Sequence, residues 1–346
     1  MAKKIRVGII GAGGISRLHV EGYQKCPGVE VVATCDIDRA RAQAQAEQFH
    51  IPHAFDSHTK LLRLKEIDAV SVCTPNHAHC APAVAALKAG KHVLVEKPIA
   101  MDARQAQRMV DAARKARRQL QVGLDKRFSS GVQFARQVIS EGHIGKPYYA
   151  RALSIRRRGV PSWGVFGQKK LQGGGALIDI GVHSMDMAWY LMGCPKPLSV
   201  SGKAYRTIGD TPGHVGMFGP WDPKTYDVED FAVALVRFAG GATMMIESAF
   251  CVNLDKDLFG CTVVGEKGGV TLDPLTVHME VAGHLMDCTP NHVQRVQSHH
   301  AEVAAFIDAI RRGTSVLVPA HQAIWVQKMM DAIYASSKAG KEVRIR

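Results

Sequence analysis

"VGIIGAGGIS", residues 7–16, places Gly11 and Gly13 between an apolar β-like run and the start of a helical pattern. A strand that ends in a glycine turn and feeds a helix suits a dinucleotide pyrophosphate. It offers a tight turn, bare backbone and unpaired N–H groups aimed at the phosphates. The third position of the pattern is Ser16 in place of Gly or Ala, and GxGxxS alone is a weak signal. The next strand strengthens it by ending at Asp36, 25 residues after Gly11. A carboxylate there accepts hydrogen bonds from the adenosine ribose hydroxyls and opposes a 2′-phosphate. The expected cofactor is NAD, held by Gly11, Gly13, Gly14, Ile15, Ser16, Asp36 and Ile37. Arg39 and Arg41 lie close enough to keep NADP use open.

Around this loop, residues 1–124 alternate strand-like and helix-like segments: strands at 4–10, 29–35, 68–73, 92–96 and 120–124, helices at 15–25, 39–49, 77–89 and 102–117. Such alternation predicts βαβ units and a doubly wound parallel sheet, a Rossmann domain. Residues 125–346 read differently. A helix over 130–141 leads to a long strand at 147–157, a triple glycine precedes a helix over 180–192, and β-rich segments follow near 198–207, 229–238, 242–252, 259–265 and 269–280. This predicts an α+β domain with an open-faced, mainly antiparallel sheet, completed by amphipathic helices over 299–312 and 321–338. "FAVALVRF" and "ATMMIESAF" are apolar at nearly every position, where a half-solvated sheet would alternate. An exposed face of that kind calls for burial, which predicts a homo-oligomer, tetramer or dimer, joined through residues 229–280.

Composition narrows the class. The chain has 346 residues, 46% hydrophobic and 22% charged, and no apolar run of membrane length, which suits a soluble, two-domain, cytoplasmic protein. Its formal charge of +13 is dispersed, without the aromatic-interleaved basic motif of a nucleic-acid surface. It is read as attracting anionic ligands. The eight cysteines form no CxxC and are read as reduced thiols. "CTPNHAHC" packs Cys73, His77, His79 and Cys80 into one short segment, unlike the separated ligand pairs of a structural zinc site, so no metal is expected.

"VLVEKPIA", residues 93–100, sets Glu96, Lys97 and Pro98 at the end of the strand at 92–96, on the ligand-binding edge of the sheet. A lysine beside a cationic nicotinamide, partly desolvated, loses basicity and can polarise a substrate oxygen. The bland alternative is a lysine capping a strand end. "GGGALIDIGVHSMD", residues 173–186, adds Asp179 and His183, four apart on one helix face. The imidazole can take a proton near neutral pH and the carboxylate can orient it. Together with "GAGGIS", "CDID", "TPNHAH", "GHIGKP" and "VEDFAVALVRFAGGA", these segments resemble the glucose–fructose oxidoreductase / inositol dehydrogenase / rhizopine catabolism (Gfo/Idh/MocA) family over nearly the whole chain.

The resemblance implies hydride transfer involving a tightly held nicotinamide cofactor. By motif position, Lys97, Asp179 and His183 take the catalytic places. Thr74, Pro75, Asn76 and His79 form the wall beside the cofactor, Glu96 and Lys97 also adjoin it, and Pro98 follows a cis peptide. For the oxidation of a secondary alcohol, His183 is assigned as general base, Asp179 as its partner and a substrate hydroxyl acceptor, and Lys97 as alkoxide stabiliser. A base role for Lys97 is the alternative. The segment 154–175 is expected to border the substrate, with Trp163 stacking on a sugar or cyclitol ring or else buried in the core. Arg156 and Arg127 are expected to line the cleft. The connection 208–228 reads as a lid or an oligomer arm. The leading class is an NAD-dependent dehydrogenase of a sugar, sugar derivative or cyclitol. The rivals are a redox-cycling glycoside-cleaving enzyme, through oxidation at C3, elimination and re-reduction, and a non-catalytic nicotinamide-sensing regulator.

Overall fold

The computed structural model describes residues 4–346. One compact unit gathers the described residues through Phe128 and, from much later in the chain, Val296–Ile324. Its elements begin with β1 (Ile5–Ile10), α1 (Gly14–Gln24), β2 (Val29–Cys35), α2 (Arg39–Phe49), β3 (His53–Phe55) and α3 (His58–Leu61). They continue with β4 (Ala69–Val72), α4 (Cys80–Lys88), β5 (His92–Glu96), α5 (Ala103–Ala116) and β6 (Leu120–Gly123). The six strands are parallel in the order β3-β2-β1-β4-β5-β6. Central strands buried on both faces require continuous apolar runs, and Ala69, Val70, Val72 and Val93 to Val95 supply them. The order reverses between β1 and β4, so ligands belong at the carboxyl ends of these two strands. β3 and α3, three and four residues long, were not expected, because neither spans enough residues for a period to register.

The second unit comprises Ser129–Arg295 and Trp325–Arg346. It opens with α6 (Ser130–Ser140), β7 (Pro147–Ile155), α7 (Lys169–Gln172), a π-helical turn at Leu177–Gly181 and α8 (Val182–Leu191). There follow β8 (Pro197–Tyr205), β9 (Phe231–Phe238), β10 (Thr243–Ala249), β11 (Leu258–Gly265), β12 (Gly268–Leu272), β13 (Leu275–Val281) and β14 (His284–Cys288). The chain then runs through α9 (Ser298–Arg312) and α10 (Ala320–Ala339) to β15 (Val343–Arg344). The nine-stranded sheet has the order β14-β13-β12-β11-β7-β10-β9-β8-β15 and is antiparallel except where β7 and β10 run parallel. The single strand expected over 269–280 is a hairpin, β12 turning into β13 at Asp273–Pro274, where proline cannot extend a ladder. In β9 and β10, Ala232, Ala234, Val236, Met244 and Ile246 are buried on one face, which α8 reaches at β10, while Phe231, Val233, Leu235 and Met245 are half-buried on the other.

Two helical expectations need correction. Helix 299–312 was assigned to the cover of the second sheet, but as α9 it packs on α1 in the first unit, joining Val303, Phe306 and Ile307 to Val20 and Tyr23. An apolar stripe demands a partner without specifying which one. Gly22 supplies the fit: a Cβ there would stand 3.2 Å from the Cβ of Val303. The helix expected over 180–192 begins earlier, as the π turn. Among the described residues no helix is long and apolar enough to cross a membrane, and no disulfide joins any of the eight cysteines.

Candidate functional site

Gly11 has φ 98°, and a Cβ on it would stand 2.7 Å from the carbonyl oxygen of Cys73, so the turn after β1 admits only glycine. Gly13 and Gly14 have the opposite surroundings. Both are exposed, and a Cβ on either would meet nothing within 4 Å. Open space beside bare backbone at the N-terminus of α1 is a cradle that fits a pyrophosphate. Ile15 is half-buried on the first turn of α1. Asp36 holds the loop from β2: its Oδ2 accepts the Ala12 N–H at 2.8 Å and its Oδ1 accepts the Asp38 N–H at 2.9 Å. Ile37, the next residue, is 97% exposed. Ser16 lies beneath the loop, fully buried. Its hydroxyl donates to the Gly13 carbonyl at 2.5 Å and accepts from Gln45 at 2.6 Å, and Gln45 in turn accepts from Thr34. The serine in the third position therefore ties the loop to α2. Arg41 pairs with Asp38 at 3.3 Å on the surface, and Arg39 is exposed.

At the end of β5 the Lys97–Pro98 peptide is cis and Lys97 is half-buried. Thr74 and Asn76, after β4, are half-buried and Pro75 is exposed. Three residues expected to line the crevice are instead committed to protein partners. His79 is fully buried between two backbone carbonyls, with Nδ1 2.8 Å from Pro98 O and Nε2 2.8 Å from Thr74 O. It fastens the segment after β4 to the turn after β5. Burial pulls its ring below the usual imidazole pKa against the opposing pull of the two carbonyls. Glu96 points away from the crevice: Oε2 accepts the Lys97 N–H at 3.1 Å and Oε1 meets His19 Nε2 at 2.9 Å. Arg127 is fully buried, donating to the Leu317 carbonyl at 3.2 Å and to Gln322 Oε1 at 2.7 Å. It anchors the returning segment of the first unit.

In the second unit two residues of the triple glycine, Gly174 and Gly175, are a packing requirement. A Cβ on Gly175 would stand 2.1 Å from the Glu229 carbonyl oxygen, and one on Gly174 would stand 2.1 Å from the Tyr334 hydroxyl. The buried carboxylate of Glu229 accepts from the N–H groups of Gly175 at 2.9 Å and Leu177 at 3.0 Å and from Tyr334 at 2.8 Å. Burial raises its pKa in spite of these donors. Glu229 thus grips the start of the π turn that carries Asp179, and His183 follows at the first turn of α8, both half-buried. π turns widen a helix locally and recur at functional sites. Neither Glu229 nor Tyr334 was singled out as an anchor in the sequence.

Trp163 is 57% exposed, which removes the core reading, and packs edge-on against Phe218 and Phe166 at 5.6 and 6.3 Å between centroids. The Arg156 guanidinium lies over the Phe218 ring at 5.2 Å and donates to the Gly159 carbonyl. Residues 208–228 are folded against this segment. Met217 N–H donates to Arg158 O, and Asp230 collects the N–H groups of Thr207, Ile208 and Gly209 at 2.6–2.8 Å. Val160, Ile180, Tyr226 and Val228 share one apolar cluster, so the aromatic group stands on the same scaffold as the π turn.

Residues 5–124 match the family described as "Oxidoreductase family, NAD-binding Rossmann fold", and residues 136–345 match its "C-terminal alpha/beta domain". The chain is 36% identical over 343 residues to D-glucoside 3-dehydrogenase of Escherichia coli (strain K12), covering 99% of this chain and 97% of that protein. It is 28% identical over 273 residues to myo-inositol 2-dehydrogenase of Thermotoga maritima, covering 78% and 75%. A solved structure of levoglucosan dehydrogenase in complex with NADH superposes with a TM-score of 0.87 at 23% identity, covering 99% of this chain and all of that one, and shares the fold.

Proposed function

The chain belongs to the Gfo/Idh/MocA oxidoreductase family, and from that premise we propose that it is an NAD-dependent dehydrogenase oxidising a secondary hydroxyl of a sugar, with the C3 hydroxyl of a D-glucoside as the first candidate. The observation that carries this is the whole-chain likeness to D-glucoside 3-dehydrogenase. Support comes from the open cradle at Gly13 and Gly14 and from the exposed Trp163 ring, a surface on which the apolar face of a pyranose can stack. NAD held at this loop supplies the hydride acceptor.

The chain's own residues do the rest. Gly11, Gly13 and Gly14 bare the backbone for the pyrophosphate, and Asp36 meets the ribose with the carboxylate edges that its two backbone bonds leave open. His183 takes the hydroxyl proton, Asp179 orients it, and Lys97 steadies the developing alkoxide; Lys97 as the base is the variant of this scheme. Eight cysteines outside any disulfide support a reducing, cytoplasmic setting. The half-exposed apolar face of β9 and β10 supports a homo-oligomer, a tetramer before a dimer.

NADH absorbance with a panel of glucosides, aldoses and cyclitols tests the reading. Net NADH with glucosides supports it. Sugar release without net NADH points to redox-cycling glycoside cleavage, and neither signal points to a sensor. Lys97→Ala is expected to lower kcat by about 10²–10⁴ while NADH binding, followed by fluorescence, stays within a few-fold. A variant keeping half of the wild-type kcat would remove Lys97 from the mechanism.

A further inference from the structure

Glu96 and Lys97 are consecutive at the end of a strand, so their side chains leave on opposite sides. Lys97 is half-buried, whereas Glu96 turns into the first unit and meets a group of polar side chains with no access to water. His19, on α1, is fully buried, with Nε2 on Glu96 at 2.9 Å and Nδ1 3.1 Å from Ser71 Oγ, which is 2.8 Å from the Tyr23 hydroxyl. Glu302, on α9, is fully buried as well, and neither of its carboxylate oxygens has a hydrogen-bond partner. One ligand atom each from His19, Glu96 and Glu302 lie within 4.8 Å of one another. Isolated buried charges are too costly to leave unmatched, so this much polarity under the sheet needs a reason.

The charge distribution follows from the partners. Burial works against the charges of both His19 and Glu96. The neighbouring Cys73 and Glu96 nevertheless hold the His19 ring well above its ordinary pKa, and His19, His299 and Lys97 hold Glu96 below its own. Burial, with the Glu96 anion beside it, pushes Glu302 well up, which leaves it a neutral acid. The other groups facing the cluster are Cys73 after β4, Tyr23 on α1, His299 on α9, and Asp125 and Lys126 after β6. The Glu96 carboxylate thus holds the Lys97 N–H on one oxygen and the His19 ring on the other, with Glu302 beside the pair.

We infer that His19 and Glu96, backed by Glu302, are positioning residues for Lys97: His19 holds the Glu96 carboxylate, and the carboxylate fixes the Lys97 backbone. The inference rests on the assignment of Lys97 above. It predicts graded effects on kcat at a KM and an NADH affinity within a few-fold of the wild type. Glu96→Ala removes both contacts and frees the Lys97 backbone, Glu96→Gln keeps an oxygen that can accept the Lys97 N–H and recovers part of the loss, and His19→Ala leaves the carboxylate unheld and falls between them.

The experiment measures kcat and KM for the three variants, with near-UV circular dichroism and NADH-quenched fluorescence to establish folding and cofactor binding. A kcat lowered about tenfold or more in Glu96→Ala and His19→Ala and partly restored in Glu96→Gln, with KM and NADH binding within a few-fold, is expected. An unchanged kcat in Glu96→Ala, or equal losses in Glu96→Ala and Glu96→Gln accompanied by lost cofactor binding, would overturn the inference and leave the cluster a structural one. Should His19→Ala fail to fold, the comparison of Glu96→Ala with Glu96→Gln decides alone. Full activity in Lys97→Ala would instead bring down the underlying reading, a result separate from all of these.

Discussion

Both oxygens of the half-buried Asp36 accept backbone N–H groups, and in the proposed scheme the same carboxylate also meets the ribose. Asp36→Ser is therefore expected to narrow or invert the preference for NAD over NADP, because the repulsion of a 2′-phosphate goes with the carboxylate. Arg39 is available to a phosphate, whereas Arg41 must first leave Asp38. The substitution also slackens the Ala12 turn, so the KM for NAD should rise. Comparing kcat/KM for the two cofactors checks this, and a wild type that already prefers NADP would place the carboxylate away from the ribose. The places of such residues were legible from sequence because their signal is local: Gly11, Asp36 and Lys97 each stand just after a strand of the first sheet. His19 and Glu302 were not. His19 is 77 residues from Glu96 along the chain, and a lone histidine on an amphipathic helix announces no partner until the sheet brings one to it. His79, Glu96 and Arg127 were recognised as special but assigned to the wrong surroundings. Their types suit a ligand as well as they suit a buried carbonyl or imidazole.

At the scale of elements, the π turn is held by a clasp that sequence periodicity does not display. The register of Leu177–Gly181 depends on Gly174 and Gly175 packed against Tyr334 and Glu229, residues that lie 54 and more positions downstream of Gly175. Gly175→Ala is expected to displace the turn, since its Cβ would overlap the Glu229 carbonyl oxygen. The lost contacts and the misplacement of Asp179 should cut kcat by about 10²-fold and lower stability by about 1–3 kcal/mol. A variant with unchanged kcat and melting temperature would show that the backbone there yields freely. The sequence predicted strands and helices well wherever the apolar period persisted over two turns or five residues. It failed for the π turn, whose widened period mimics the α-helix around it, and for α9, whose stripe fits either unit equally well.

For the whole molecule, the proposed homo-oligomer rests on the side of the second sheet that carries the half-buried apolar residues of β9 and β10. Phe231, Val233, Leu235 and Met245 stand half-exposed there, Tyr205 stacks on Phe231 at 5.7 Å, and the Arg151–Glu247 pair at 2.8 Å adds a polar contact. Light scattering at micromolar concentration is expected to return a multiple of 37.6 kDa, and Leu235→Arg should lower it. A wild-type monomer would end the proposal. Stability should also depend on pH with a definite sign. Glu302 has a folded-state pKa raised well above its ordinary 4.5, so between those values the native chain binds more protons than the unfolded one. Its contribution is full below about 4.5 and is lost as pH rises through the raised value. Glu302→Gln should therefore flatten the fall of the melting temperature from acid to neutral pH, and an unchanged slope would assign the proton elsewhere. The late return of α9 to α1 carries a further consequence, for synthesis. A ribosome that has released residues 1–128 has made every strand of the first sheet but not the helix that covers Val20 and Tyr23. That nascent domain must wait, with its apolar flank open, until residues 129–295 of the second unit and then α9 have emerged. Cutting the gene at the apparent boundary near residue 124 should yield an insoluble fragment, and only a fusion that restores 296–324 should give a transplantable module.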